Sequence, residues 1–436
     1  MGESASRTHA SGSRAAHVFV VCWAITLLYD VAVRWMVRDV ATVAVSGAAL
    51  AVLLRPSSGP RLALLLLAQL GLVASRLPGR LLVHWTFEAL IGAILLLGLA
   101  SAWRRGVGHS SAEAVRTVAR PLRLFAACAL LLAGVAKLNT SFLDVNRSCA
   151  SALVAFQIEV LPGSLRDGLL LRRLAIAGTL LCEIGGPVLL LTRRFRPVGA
   201  ILVTSILFGI GINPGNELFE FTAAIGTPLL LFASVGTLEF IADTVARGAT
   251  AVRTVLVPQR LRRLTPWLLL LALAGLGWLG DTHEWRPWRR QLLRVTWDLG
   301  VPLLAVLLIA KRRGRQSAAA DSGALLQGRP PRVAWALLAA FLLWEMQPYV
   351  GRVQRPNFTM ASGFESSGEA TNHLTTPPSR RLGPSWCGHW NEVWATYGRD
   401  TVLVPGLPER QTPRDVARWG VNKRTSRRGV QPSQGR

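Results

Sequence analysis

The sequence predicts an all-α integral membrane protein, a polytopic helical bundle that crosses the bilayer about eleven times. Three observations predict it. Hydrophobic residues make up 51% of the chain and charged residues only 17%, with a mean hydropathy of +0.36. Apolar runs long enough to enter a hydrocarbon layer of about 30 Å recur along the sequence. Arginines mostly punctuate these runs rather than interrupt them, the pattern expected of cytoplasmic loops. A net charge of +25 would point to nucleic acid in a soluble protein. No zinc-finger, RRM or basic-zipper pattern accompanies it, so nucleic acid is excluded and the lipid bilayer is the expected partner.

Residues 1–16 form a polar segment expected in the cytoplasm. The apolar run that follows contains Asp30 and has no small-residue cleavage site after it, so it reads as a retained anchor and not a signal peptide. Spans are expected at 17–36, 39–54, 61–76, 81–102, 121–138, 168–191, 197–213, 217–236, 265–280, 291–310 and 331–350. Runs 39–54, 61–76 and 265–280 are short, and two half-helices would reduce the count to about nine. The loops 103–120, 192–196, 237–264 and 311–330 carry most of the arginines and alternate with poorer ones. That alternation predicts a multi-pass cell-membrane protein with a cytoplasmic N-terminus and an extracytoplasmic C-terminus. The loop 281–290, with Arg286, Arg289 and Arg290, runs against it, as does the basic tail.

Two connecting segments carry more than turns. Residues 139–167 include an apolar, interfacial stretch, Ala150–Leu161, and 237–257 reads as an amphipathic helix along the cytoplasmic face. The bundle is thus expected over 17–350, followed by a segment packing on it at 351–378 and a basic tail at 379–436, disordered in its last part. Cys149 and Cys387 both fall on the expected extracytoplasmic side. A disulfide between them and two separate thiols read the same in sequence.

Ionisable residues inside spans are costly, by about 2.5–3.5 kcal/mol at a helix centre, and are functional candidates by default. Asp30 lies toward the outer end of the first span. His84 and Glu88 open the fourth, one turn apart on one helical face. Lys137, with Asn139 two residues on, closes the fifth. Asn213, Glu217 and Glu220 cluster where the seventh span gives way to the eighth. Asp298 and Glu345 sit toward the outer ends of the last two, and only Glu183 falls in the inner half. Most of these groups share one depth, which predicts a wet cavity open to the outer side. Helix ends also collect polar residues that snorkel to the interface, so depth alone assigns no role.

Lys137 stands apart for a second reason. The chain has 49 basic residues, of which only Lys137, Lys311 and Lys423 are lysines. Arginine holds its proton in proteins, whereas a desolvated lysine can release it and act as a base. A lysine ending an apolar helix, in a chain that uses arginine by habit, points to an amine that must deprotonate. No P-loop, GxGxxG, HExxH, CxxC or Gly-x-Ser-x-Gly motif occurs. The seven histidines show no metal-ligand spacing, so neither a metal nor a nucleotide site is expected.

The run Leu132-Ala-Gly-Val-Ala-Lys137-Leu-Asn-Thr-Ser-Phe142-Leu resembles a segment of the vitamin K-dependent γ-carboxylases and their bacterial relatives, the HTTM-domain proteins. Asp144 and Ser148-Cys149 follow as they do in bacterial members. Val83-His84-Trp85 resembles the family's His-bearing helix start, and Arg196-Pro-Val-Gly199 through Phe232 fits as well. Glu345 to Gly351, Phe358-Thr-Met360 and Asn372-His373-Leu374 resemble its stretch after the last span. The chain departs at Phe208-Gly209, where the family often has a His, and at Ser362-Gly363-Phe364, which lacks an arginine. Its tail is also far shorter than the lumenal domain that holds the animal carboxylase's protein substrate.

The resemblance implies a quinol oxygenase site. Lys137 would be the general base, and His84 would hydrogen-bond the lysine or the quinol. His373 would help to close the site. A reduced vitamin K-like quinone and O2 would generate a strong base, with CO2 consumed where carboxylation follows. A peptide or small secreted protein would be the acceptor. Two other readings stay open: a non-catalytic membrane factor for peptide maturation or export, and a small-molecule transporter.

Overall fold

The computed structural model describes residues 2–31, 39–76, 83–106, 110–145, 148, 150–151, 168–211, 219–256, 300–301, 303–306 and 328–346. Ten longer helices are α1 (Gly2–Asp30), α2 (Val40–Leu54), α3 (Gly59–Arg76), α4 (Val83–Arg104), α5 (Ser111–Ala136), α6 (Leu169–Leu191), α7 (Arg196–Gly211), α8 (Phe219–Leu229), α9 (Val235–Leu256) and α10 (Arg332–Glu345). No strand occurs among the described residues. Among the described residues three helices are long and apolar enough to cross a membrane: Trp85–Arg104, Ser111–Ala136 and Leu169–Leu191. The pair Thr222–Phe232 and Val235–Thr244 makes a fourth if it is one span. Apolar side chains such as Leu67 (59% exposed), Leu170 (72%) and Leu343 (72%) face outward, which suits lipid and not water.

By its internal contacts the chain divides into two compact units. The first comprises residues 1–131, 182–212 and 217–344, and the second 132–181, 213–216 and 345–436. In the first unit α1 packs along α2, α8 and α9, while α2, α3 and α4 follow one another as antiparallel neighbours. Asp39 caps α2, its carboxylate accepting from the Thr42 amide at 2.9 Å, and Thr42 returns the contact to the Asp39 amide. The α2–α3 turn is clamped by Arg61, which donates to the Ala51 carbonyl at 2.9 Å. The α4–α5 turn docks on it through Ser111, whose hydroxyl and amide bond the Pro56 and Ser57 carbonyls. Gly106 ends α4 in the left-handed region, φ 68°, where a side chain would be strained. The core of this unit is a triad of rings, Phe87, Phe125 and Phe341, packed edge to face with centroids 5.7–5.8 Å apart.

One expected loop proves to be helix over much of its length. Residues 103–120 were expected as a cytoplasmic connection, but α5 begins at Ser111 and runs through Pro121. Its first turns bury Ala112, Ala114, Val115, Val118 and Ala119, and Arg116 pairs with Glu113 at 2.8 Å. The Arg116 and Glu113 charges are matched inside the protein, while Arg104, Arg105 and Arg120 stay exposed, so a basic stretch alone does not mark a loop here. The polar N-terminal segment is likewise helical from Gly2.

Helix α6 widens into a π turn at Leu181–Gly185. Pro187 follows, and with no N–H it cannot bond back to residue 183, which a wider turn accommodates. α6 and α7 then meet at glycines: a Cβ on Gly199 would strike the backbone of Leu190 and Gly186. Such small contacts let two membrane helices approach closely. After α8 a short 3-10 turn, Leu230–Phe232, leads into a 115° bend. Ser234 caps α9, accepting from the Thr237 amide at 3.1 Å. α9 corresponds to the expected amphipathic segment 237–257. It turns Val235 and Leu238 inward and leaves Phe240, Asp243 and Arg247 exposed, with Asp243 3.3 Å from Arg14.

Candidate functional site

The second unit contains the lysine singled out above. α5 stops at Ala136, and the chain turns at once through Lys137-Leu138-Asn139 into a short helical turn, Thr140–Leu143. Asn139, fully buried, makes that turn possible. Its amide nitrogen donates to the Ala136 carbonyl at 2.9 Å, and its side-chain oxygen accepts from the Phe142 amide at 2.8 Å. The first bond satisfies a helix-end carbonyl and the second an amide at the start of the next turn. Lys137 is 7% exposed, and its Nζ donates to the Ala133 carbonyl at 3.2 Å. The amine also stands 5.9 Å from the Phe142 ring centroid, at the outer limit of a cation–π contact.

Phe142 links the lysine to an open cleft. Its ring packs with Ala150 and Ile176. Ile176 joins Leu143, Asp144, Val145, Arg173, Ala177 and Leu180 in lining a cleft of about 440 Å3. The walls are mostly apolar and bear one carboxylate and one guanidinium, a composition suited to a small organic molecule or an extended peptide. Asp144 belongs to the quoted motif. Arg173 was missed, although an Arg172-Arg173 pair inside the apolar run 168–191 was a visible signal.

The first unit holds a different polar site. Asp30 of α1 and Glu88 of α4, 3% and 2% exposed, line one cavity with Gln69 of α3, Trp85 and apolar side chains from α1, α2 and α3. Gln69 donates to the Glu88 carbonyl at 2.6 Å, and its own oxygen, buried, has no hydrogen-bond partner among the described residues. The cavity holds about 10 Å3, room for roughly one water. Glu88 therefore lines a chamber too small for an organic substrate, where a wider wet cavity was expected. Gln69 escaped sequence reasoning; a lone amide inside an apolar run was its only signal.

The remaining expected residues sort as follows. The backbone of His84 lies in the first turn of α4, and its side chain is outside the described residues. Glu345, the last residue of α10, is 1% exposed and belongs to the second unit. Asn213, Glu217, Asp298, His373, Cys149 and Cys387 lie outside the described residues, as does nearly all of Ala150–Leu161. No group of three or more His, Cys, Asp or Glu able to hold a metal occurs among the described residues. No protein-family model, curated protein or solved structure matches the chain.

Proposed function

We propose that this protein is a membrane-embedded enzyme in which Lys137 is a general base, of the kind implied by the resemblance to γ-carboxylases and HTTM-domain proteins. One observation carries the reading: the amine is buried in the turn that ends a membrane-length helix, and that turn leads directly into the wall of an open cleft. The cleft is also chemically suited to a quinol. Leu143, Val145, Ile176, Ala177 and Leu180 offer apolar surface to a ring, and Asp144 and Arg173 offer polar contacts to its hydroxyls. A bound quinol, with O2, would supply the oxidation to an epoxide and with it a base strong enough to act on a second substrate. The protein's own part is narrower. Lys137 takes a proton, Asn139 fixes the backbone that carries it, and the apolar wall keeps water away.

The test is direct. Purified protein in lipid nanodiscs, given a reduced quinone and oxygen, is expected to form quinone epoxide. Arg173→Gln should raise KM more than it lowers kcat. A second reading rests on the same cleft, whose opposite charges at Asp144 and Arg173 also suit a peptide. In that case the protein is a non-catalytic factor, and a peptide co-purifies while no quinone is consumed under any condition.

A further inference from the structure

At the junction of α6 and α7, in the first unit, Arg193-Arg194-Phe195 forms the turn and Arg196 opens α7. Arg193 and Arg194 are exposed, and Arg194 lies 5.6 Å from the Phe195 ring centroid. Arg196 is half-buried and donates to the Leu190 carbonyl at 3.4 Å. From α5, Arg123 enters the same neighbourhood. Its guanidinium covers the Phe232 ring at 4.4 Å and lies within reach of the charge of Arg196.

A basic membrane loop is ordinary, but this cluster is not only a loop. Arg123 sits two residues past Pro121 inside a membrane-length helix. None of Arg123, Arg194 and Arg196 forms an ion pair among the described residues. Arg123 and Arg196 carry like charges, which repel when brought together. An anion among them removes that cost. Phosphate suits it best, because guanidinium groups can engage its oxygens in pairs.

The surroundings say what carries the phosphate. Val188 and Leu191 on α6, and Val198 and Ile201 on α7, are each 48–49% exposed beside the basic turn. A free anion has no use for such surface, whereas an acyl chain covers it.

We propose that the α6–α7 turn and Arg123 bind the phosphate of an anionic phospholipid, with its acyl chains along Val188, Leu191, Val198 and Ile201. Full-length protein in uncharged detergent tests this by its thermal midpoint, titrated with phosphatidylglycerol, phosphatidylcholine or inorganic phosphate at constant ionic strength. Phosphatidylglycerol should raise the midpoint saturably and phosphatidylcholine far less. Arg123→Gln should weaken the phosphatidylglycerol response about tenfold. Arg194→Gln, at an exposed site that leaves the core intact, should weaken it in the same direction if Arg123→Gln fails to fold. Arg120→Gln, an exposed arginine on the same helix, should leave it unchanged. Equal responses to the two lipids, or equal losses in the Arg120 and Arg123 variants, would overturn the site. Inorganic phosphate matching phosphatidylglycerol would overturn the lipid assignment.

Discussion

Glu88 on one membrane-length helix and Lys137 in the turn that ends another are both buried ionisable residues, and the molecule holds them in opposite ways. Glu88 shares a chamber with Asp30 and Gln69 that has room for roughly one water. Lys137 is held in a turn built by Asn139, and the next residues of that turn line a cleft of about 440 Å3. A charge inside a membrane helix is a functional candidate by default, and enclosure separates the candidates. Nothing larger than water reaches a chamber of that size, whereas a cleft can admit a substrate. The first unit therefore rests on apolar packing around a small polar inclusion. The second depends on a few side-chain-to-backbone bonds that place one amine.

Four substitutions break or sharpen that contrast. Phe87→Ala removes the ring shared by two edge-to-face contacts at the core of the first unit. It should cost about 3–5 kcal/mol in reversible unfolding in detergent. A loss under about 1 kcal/mol would contradict a packing-based first unit. Asn139→Ala leaves the buried Phe142 amide and the Ala136 carbonyl without their side-chain partners. About 2–3 kcal/mol should be lost, with Asn139→Asp recovering part because it still accepts from the amide. Gly199→Ala presses a methyl group against the backbone of Leu190 and Gly186. It should cost about 1–3 kcal/mol by spreading α6 and α7, read as a lower thermal midpoint. Gln69→Leu is expected to be the mildest, about 1 kcal/mol or less. It gives up one bond to the Glu88 carbonyl but also removes a buried oxygen that has no partner among the described residues. Should Gln69→Leu cost as much as Asn139→Ala, the chamber would be as dependent on polar contacts as the lysine turn, and the contrast would fail.

Much of the helical framework is legible in the sequence, because hydropathy reports a segment's environment. The runs 39–54, 61–76 and 197–213 correspond to α2, α3 and α7 within a few residues. The bend into an amphipathic helix near 235 is visible as the place where a continuous apolar run becomes a one-sided pattern. The start of α5 is not legible. Glu113 and Arg116 pair with each other and its alanines and valines pack on protein, so the segment has loop composition and helical structure. The candidate site divides in the same way. Lys137 stands out by residue choice alone, since a lysine is rare in this chain. The one-water chamber does not, because Asp30, Gln69 and Glu88 come from three separate helices and only tertiary packing brings them together. The cleft shared by Asp144 and Arg173 is hidden for the same reason: only the fold sets the two residues in one wall.

The central claim is that Lys137 acts as a base, and charge conservation tests it better than deletion. Epoxide formation from a reduced quinone and oxygen should be measured in nanodiscs for wild type, Lys137→Ala and Lys137→Arg, with the thermal midpoint of each as a check on folding. Both variants should lose at least about 100-fold in kcat, the arginine variant while keeping the wild-type midpoint, because a guanidinium keeps the charge but cannot accept the proton. Wild-type turnover in Lys137→Arg would contradict the account.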